Sequence, residues 1–147
     1  MDKRMNIYFA CSITGGREFE GVYQELMAAL LADGPVIPTA HLADSGVTTL
    51  EAKVSPDDVY ARDVAWIQGA DVLIAEVSVP SHGVGYEVGY ALNAGKPVLC
   101  VAREGRKVSK MITGNPHSRL RFETYRDSAE AIHMARAFIA NLSAGAN

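Results

Sequence analysis

Apolar residues come in two rhythms along this chain, and the two alternate. Short continuous runs lie at 7–11 (Ile7-Tyr8-Phe9-Ala10-Cys11), 71–77 and 97–101, with weaker ones at 36–38 and 121–125. Each is bounded by Gly, Pro, Ser or Asp, which marks a strand entering a loop. Between them the apolar positions fall three and four apart. Phe19, Val22, Tyr23, Leu26, Met27, Leu30 and Leu31 form one such stripe, predicting a helix over 17–33 closed by Gly34-Pro35. Ser55 as N-cap, Pro56 at the first helical position and Asp58 three residues after the cap predict a helix over 56–69. A further helix is expected over 83–93, with Gly95 stopping it and Pro97 beyond. Asp127 should cap a last helix whose face includes Ala131, Met134, Phe138 and Leu142. Residues 40–54 show no clean period and read as a long loop.

Five strands interleaved with helices imply a parallel sheet covered on both faces. The run 71–77 is apolar nearly throughout, as a strand buried on both faces should be. The expected fold is therefore an α/β three-layer sandwich with a five-stranded parallel sheet, Rossmann-like in the flavodoxin manner. No repeat, linker or low-complexity tract interrupts it, so residues 1–147 read as a single domain. In such sheets ligands bind at the carboxyl ends of the strands, at the switch in strand order. Segments 11–17, 39–45, 78–87 and 103–115 are the ones to inspect.

Composition narrows the class. Of 147 residues, 48% are hydrophobic, enough for a core, and mean hydropathy is only +0.03. No apolar run approaches the ~18 residues of a membrane span, so no membrane partner is expected. The first residues lack a long apolar stretch with a cleavage site, and Cys11 and Cys100 make no disulfide framework; a reducing cytoplasm is the expectation. Net charge is −3, which argues against nucleic-acid binding. That balance is uneven. Residues 103–121 carry six bases and one acid, leaving −8 for the remainder. Such a run is either a solvated basic loop or an approach to a small anion such as phosphate.

The segment Ser78 to Glu87 leaves a buried strand and enters a helix. Ser81 can cap that helix, and Gly83 and Gly85 leave backbone N–H groups open, which suits an anion. A loop needing glycine only for its φ angles reads equally well. Glu87 lies near the start of the helix, where the helix dipole would keep it ionised at neutral pH and able to act as a nucleophile. A favourable surface Glu is the plainer reading. Asp63 sits on the apolar face between Val59 and Trp66. An inward carboxylate costs ~3 kcal/mol or more unless paired, so it reaches a cleft or has a hidden partner in Arg62 or Tyr60. Two carboxylates aimed at one crevice suggest glycosyl chemistry, which uses one as nucleophile and another beside it. Tyr8 is a core residue by default whose hydroxyl could bond a carboxylate near the strand's end. His41, His82, His117 and His133 show no metal-ligand spacing, so neither a metal nor any other cofactor is expected. The Gly-Val-Gly run lacks dinucleotide-binding spacing.

In order along the chain stand Tyr8-Phe9-Ala10-Cys11-Ser12-Ile13-Thr14-Gly15-Gly16-Arg17, Arg62-Asp63-Val64-Ala65-Trp66, Ala75-Glu76-Val77 and Pro80-Ser81-His82-Gly83-Val84-Gly85-Tyr86-Glu87-Val88-Gly89. Together they resemble the nucleoside 2-deoxyribosyltransferase superfamily, and within it the 2'-deoxynucleoside 5'-phosphate N-hydrolases, over about residues 6 to 140. The resemblance implies a five-stranded parallel sheet and cleavage of the glycosidic bond of a deoxynucleoside 5'-monophosphate. It implies Glu87 as nucleophile forming a covalent glycosyl-enzyme, Asp63 assisting base departure or orienting the sugar, and Tyr8 positioning Glu87. Ser12, Ser81 and Gly83 match phosphate contacts, and Ile13 lies in the same matching segment. Arg17 and His41 match pocket-lining positions. Ser109 matches a serine given by the partner subunit, implying a homodimer. Cys11 stands where the family often has Gly, and Thr14 where some relatives carry Arg. Two other functions compete: a transferase that exchanges bases on deoxynucleosides, and a nucleotide-binding module without turnover.

Overall fold

The computed structural model describes residues 4–13 and 18–145. In chain order the elements are β1 (Ile7–Ala10), α1 (Glu20–Ala32), a 3-10 turn (Ala40–Ala43), α2 (Val47–Glu51), α3 (Pro56–Gly69), β2 (Val72–Glu76), α4 (His82–Asn93), β3 (Val98–Arg103), α5 (Lys110–Thr113), β4 (Leu120–Tyr125) and α6 (Ser128–Gly145). The sheet holds four parallel strands in the order β1-β2-β3-β4.

The fifth strand expected at 36–38 is not part of that sheet; it shrinks to one bridge between Asn6 and Val36 beside β1. Proline explains the shortfall. The Val36 amide donates to Met5 at 2.8 Å, and Ile7 donates back to Val36 at 2.9 Å. The next donor on that side of the segment would be residue 38, and Pro38 has no N–H. On the β1 side, the Phe9 amide then donates to the Thr39 hydroxyl at 2.8 Å rather than to a backbone carbonyl of this segment. The chain thus runs outward from β1 to Val36 and returns to β2 on β1's other side. That reversal places a crevice at the carboxyl ends of β1 and β2.

Alternation along the strands divides the core into two layers. Ile7, Phe9, Val72, Ile74, Leu99 and Val101 face α1 and α6, where Tyr23, Leu26, Met27 and Leu30 meet Ala131, Ala135 and Phe138. Tyr8, Ala10, Leu73, Ala75, Val98, Cys100 and Ala102 face Ile67 of α3 and Val84, Val88, Ala91 and Leu92 of α4. The three-layer arrangement is the one expected, with one strand fewer.

Local signals act where they were read. The Ser55 hydroxyl accepts the Asp58 amide at 3.2 Å, with Pro56 opening α3. The Asp127 carboxylate accepts the Glu130 amide at 2.9 Å and starts α6. Gly34 and Gly95 take φ of 101° and 79°, which side-chain-bearing residues rarely adopt, and so end α1 and α4. Residues 40–54 are not one long loop. They fold into the 3-10 turn and α2, which bury Leu42, Ala43 and Val47. No helix among the described residues is long and apolar enough to cross a membrane.

Candidate active site

A cavity of about 590 Å³ opens over the β1–β2 crevice. Cys11 and Ile13 line it from the end of β1, Ser81, Gly83 and Glu87 from the start of α4, and Asp63 from α3. Its remaining wall is mostly apolar and comes from α2, α3 and the segment between them, with Val84 and Tyr86 of α4.

Glu87 is held at one point. Its Oε2 accepts a hydrogen bond from the Tyr8 hydroxyl, and Tyr8 is fully buried inside β1. The helix dipole is not what governs the charge of Glu87. Glu87 is the sixth residue of α4, past the first-turn amides where the dipole acts. Burial instead pushes its carboxyl up to about 8. The Tyr8 donation works the other way, favouring the anion, and is the one hydrogen bond Glu87 receives among the described residues.

Asp63 faces the cavity and also has its hidden partner. Arg62 Nε donates to Asp63 Oδ1 at 2.9 Å. The other two nitrogens of Arg62 reach Glu51 on α2, Nη1 to Oε2 at 3.1 Å and Nη2 to Oε1 at 2.6 Å. The guanidinium lies 4.9 Å from the centre of the Trp66 ring. Burial raises the Asp63 pKa, and Arg62 pulls it only part of the way back. The Arg62 fork holds Glu51 below the usual carboxylate range. Tyr60, the alternative partner for Asp63, turns instead to Tyr86, with the two hydroxyls 3.3 Å apart.

The other residues singled out from the sequence divide. Ile13, Ser81 and Gly83 line the cavity with Glu87. Ser81 also caps α4, accepting the Val84 amide at 3.3 Å. Ser12 is buried at the end of β1, between two lining residues. His41 stands behind the wall, its Nε2 3.9 Å from Glu51 Oε1 and its ring edge-on to Trp66. Arg17 and Thr14 lie outside the described residues.

Ser109 is not brought to Glu87 of its own chain. It caps α5, accepting the Met111 amide at 3.2 Å, and lines a second cavity of about 1050 Å³ between α4 and residues 107–115. The two cavities share Ser81, Val84 and Tyr86 as a common wall. Nor is the basic segment a free field of cations. Arg106 donates to Glu18 at 2.9 and 3.3 Å and to the Ser78 carbonyl at 3.3 Å, and Arg121 pairs with Glu123 at 3.1 Å.

Sequence reasoning missed Glu51 and the Arg62 fork. Glu51 sits in the stretch that showed no period, and a five-residue helix offers too few positions to display one. The adjacency of Arg62 and Asp63 was visible, but neighbouring residues on a helix do not face each other by default.

A parallel sheet with carboxyls gathered over its switch point is the build of an α/β enzyme working on a small polar substrate. The family model for nucleoside 2-deoxyribosyltransferase matches residues 7–121, and the chain belongs to that family. It is 39% identical over 145 residues to the 5-hydroxymethyl-dUMP N-hydrolase of Mus musculus, covering 95% of this chain and 83% of that one. It is 42% identical over 113 residues to the enzyme of the same name from Danio rerio, covering 75% and 78%. Among solved structures, the CMP N-glycosidase BcmB of Clostridium botulinum superposes with a TM-score of 0.70 at 21% identity, covering 90% and 98%, and shares the fold. The chain is accordingly an enzyme of the N-glycosidase kind.

Proposed function

We propose that the protein hydrolyses the N-glycosidic bond of 2'-deoxynucleoside 5'-monophosphates, releasing a free base and 2-deoxyribose 5-phosphate. The observation that supports this most is the Tyr8–Glu87 hydrogen bond at the edge of a cavity that Asp63 also lines. The C1'–N bond breaks with its electron pair going to the base, which takes a proton from solvent. Glu87, as the carboxylate, bonds to C1' of the oxocarbenium-like sugar. Water then attacks C1', loses a proton and restores the free Glu87 carboxylate. A missing 2'-hydroxyl eases the positive charge at C1'. The Tyr8 donation stabilises the charge on Glu87 before attack and again after release.

The phosphate is assigned to Ser81 and the first amides of α4, which line the cavity at a helix start suited to an anion. Ser12, Ile13 and Gly83 are assigned to the same phosphate subsite, and His41 and Arg17 to the pocket wall, on the strength of the family resemblance. In a homodimer Ser109 would serve the neighbouring subunit's site. Its place outside the Glu87 cavity of its own chain supports that arrangement, as do the nearby exposed Tyr86 and Met111, 56% and 83% exposed.

The deciding experiment incubates the protein with dGMP, deoxyguanosine and GMP, with and without a second free base, and identifies the products. Free guanine with 2-deoxyribose 5-phosphate from dGMP is expected, with deoxyguanosine a poorer substrate. A new nucleoside formed from deoxyguanosine and the added base, with dGMP untouched, would replace this reading by base exchange. Mass spectrometry of the denatured protein during turnover should find 2-deoxyribose 5-phosphate attached at Glu87.

A further inference from the structure

We infer that Arg62 is a positioning residue: anchored on Glu51, its guanidinium holds Asp63 in the cavity as a carboxylate, an acceptor rather than a proton donor. This deepens the reading above and rests on it for the reaction, though not for the contact.

The geometry carries the argument. Residues 62 and 63 are neighbours on α3, and neighbours on a helix point about 100° apart. A bridge between them forms only if something draws the Arg62 head round. Glu51 does so, taking both Nη groups in a fork at 3.1 and 2.6 Å. Trp66 supports the guanidinium face from 4.9 Å. Nε is then left to donate to Asp63 Oδ1 at 2.9 Å. Asp63 Oδ2 has no protein donor among the described residues, in a side chain that lines the cavity. An ammonium on a flexible stem could not make the fork and the side donation together.

Every ionisable neighbour of Asp63 can be placed. Glu51 on α2 lines the same cavity and opposes a second negative charge, while Glu87 on α4 lines it as a carboxyl whose neutral form burial favours. The Tyr60 hydroxyl turns to that of Tyr86, and the Tyr8 hydroxyl to Glu87. His41, behind Glu51, helps the anion only when protonated. Arg62 is therefore the group that keeps the charge on Asp63. Without it, burial and the Glu51 carboxylate favour the neutral acid. As an anion Asp63 can accept from a sugar hydroxyl or stabilise positive charge at C1', but it cannot protonate the departing base.

The test follows the Asp63 carboxyl by carbon NMR across pH, its resonance identified by its loss in Asp63→Asn. In Arg62→Gln the Asp63 midpoint should rise by at least about one pH unit, tenfold in the protonation equilibrium. Glu51→Gln should move it the same way by less, and Arg62→Lys should sit between Arg62→Gln and the native protein. Should Arg62→Gln melt early, Arg62→Lys and Glu51→Gln carry the same comparison. In kinetics on dGMP, Arg62→Gln should lower kcat more than it raises KM, and cost nothing further in an Asp63→Asn background. An unmoved Asp63 midpoint overturns the inference. So does an Arg62→Gln loss of equal size with and without Asp63. If the native protein releases base from no deoxynucleoside 5'-monophosphate, the proposed function and the catalytic half of the inference fall. The carboxyl titration still decides whether Arg62 governs Asp63.

Discussion

Two glutamates end up near the carboxyl edge of the sheet, each bonded by a fully buried tyrosine, and they are put to different uses. Glu76 closes β2 and is wholly buried. It accepts from the Ser78 amide at 2.7 Å, the Ser78 hydroxyl at 2.8 Å and the Tyr125 hydroxyl. Ser78 in turn accepts the Arg103 amide at 2.7 Å, so the cluster ties β2, β3 and β4 together. Glu87, on the opposite layer, has Tyr8 alone and a cavity beside it. Burial raises both carboxyls. The difference lies in their donors. Glu76 is surrounded by hydrogen bonds that offset part of its burial. Glu87 is left short of donors where a substrate atom can reach it. Satisfied, a buried carboxyl is structure; unsatisfied beside a cavity, it is a reactive group.

The comparison can be broken most sharply at Glu87. Glu87→Gln should reduce base release by at least ~1000-fold, as loss of a nucleophile does, with the thermal melt at or above that of the native protein. Comparable activity in that variant would remove Glu87 from the chemistry. Glu76→Ala should show the reverse, losing about 3 kcal/mol of stability because three buried donors lose their acceptor. Denaturant unfolding measures it, and a change under 1 kcal/mol would deny Glu76 its structural role.

Tyr8→Phe sharpens the contrast further. Without its donor, Glu87 should hold its proton to higher pH, so the acid limb of kcat/KM moves up toward the value of about 8 that burial sets. Activity at pH 7 should drop roughly 10- to 100-fold, and partly return when pH is raised. A drop that is the same at every pH would show that Tyr8 only packs.

A fourth outcome concerns stability alone. The folded protein binds a proton at Glu87 up to about 8, against 4.5 for an unperturbed glutamate. Between those values the folded state carries more protons than the unfolded one, so stability falls as pH rises from about 4.5 to about 8. Tyr8, by favouring the anion, reduces the effect, and Glu87→Gln should flatten it. Equal pH slopes for the two proteins would contradict the raised pKa.

The smallest effect is expected at Ser81. Ser81→Ala loses the α4 cap, about 1 kcal/mol. It should also narrow the preference for dGMP over deoxyguanosine a few-fold, measured as a ratio of kcat/KM. An unchanged ratio would move the phosphate away from the start of α4.

What the chain determined by itself is local. Ser55-Pro56, Gly95 and Asp127 set helix ends because a cap or a positive φ is satisfied within a few residues. The buried strands showed as apolar runs because both their faces are covered. The strand-end motifs at 8–13 and 81–87 were legible for a related reason, since each crowds chemistry into one short turn. The weak strand at 36–38 misled, because pairing depends on which amides a neighbour needs and Pro38 supplies none. What only the tertiary structure decided is every property that depends on who stands opposite. The dipole argument for Glu87 considered its own helix, while its proton is governed by burial against β1 and by one phenol from residue 8. Asp63 read as either a cleft residue or a paired one. It is both, since the fork that pairs it comes from Glu51, eleven residues before Arg62 and in a stretch without period. Local signals act through backbone geometry, which a sequence displays directly. Charge states are set by desolvation and by facing charges across a cavity, which exist only once the chain has folded.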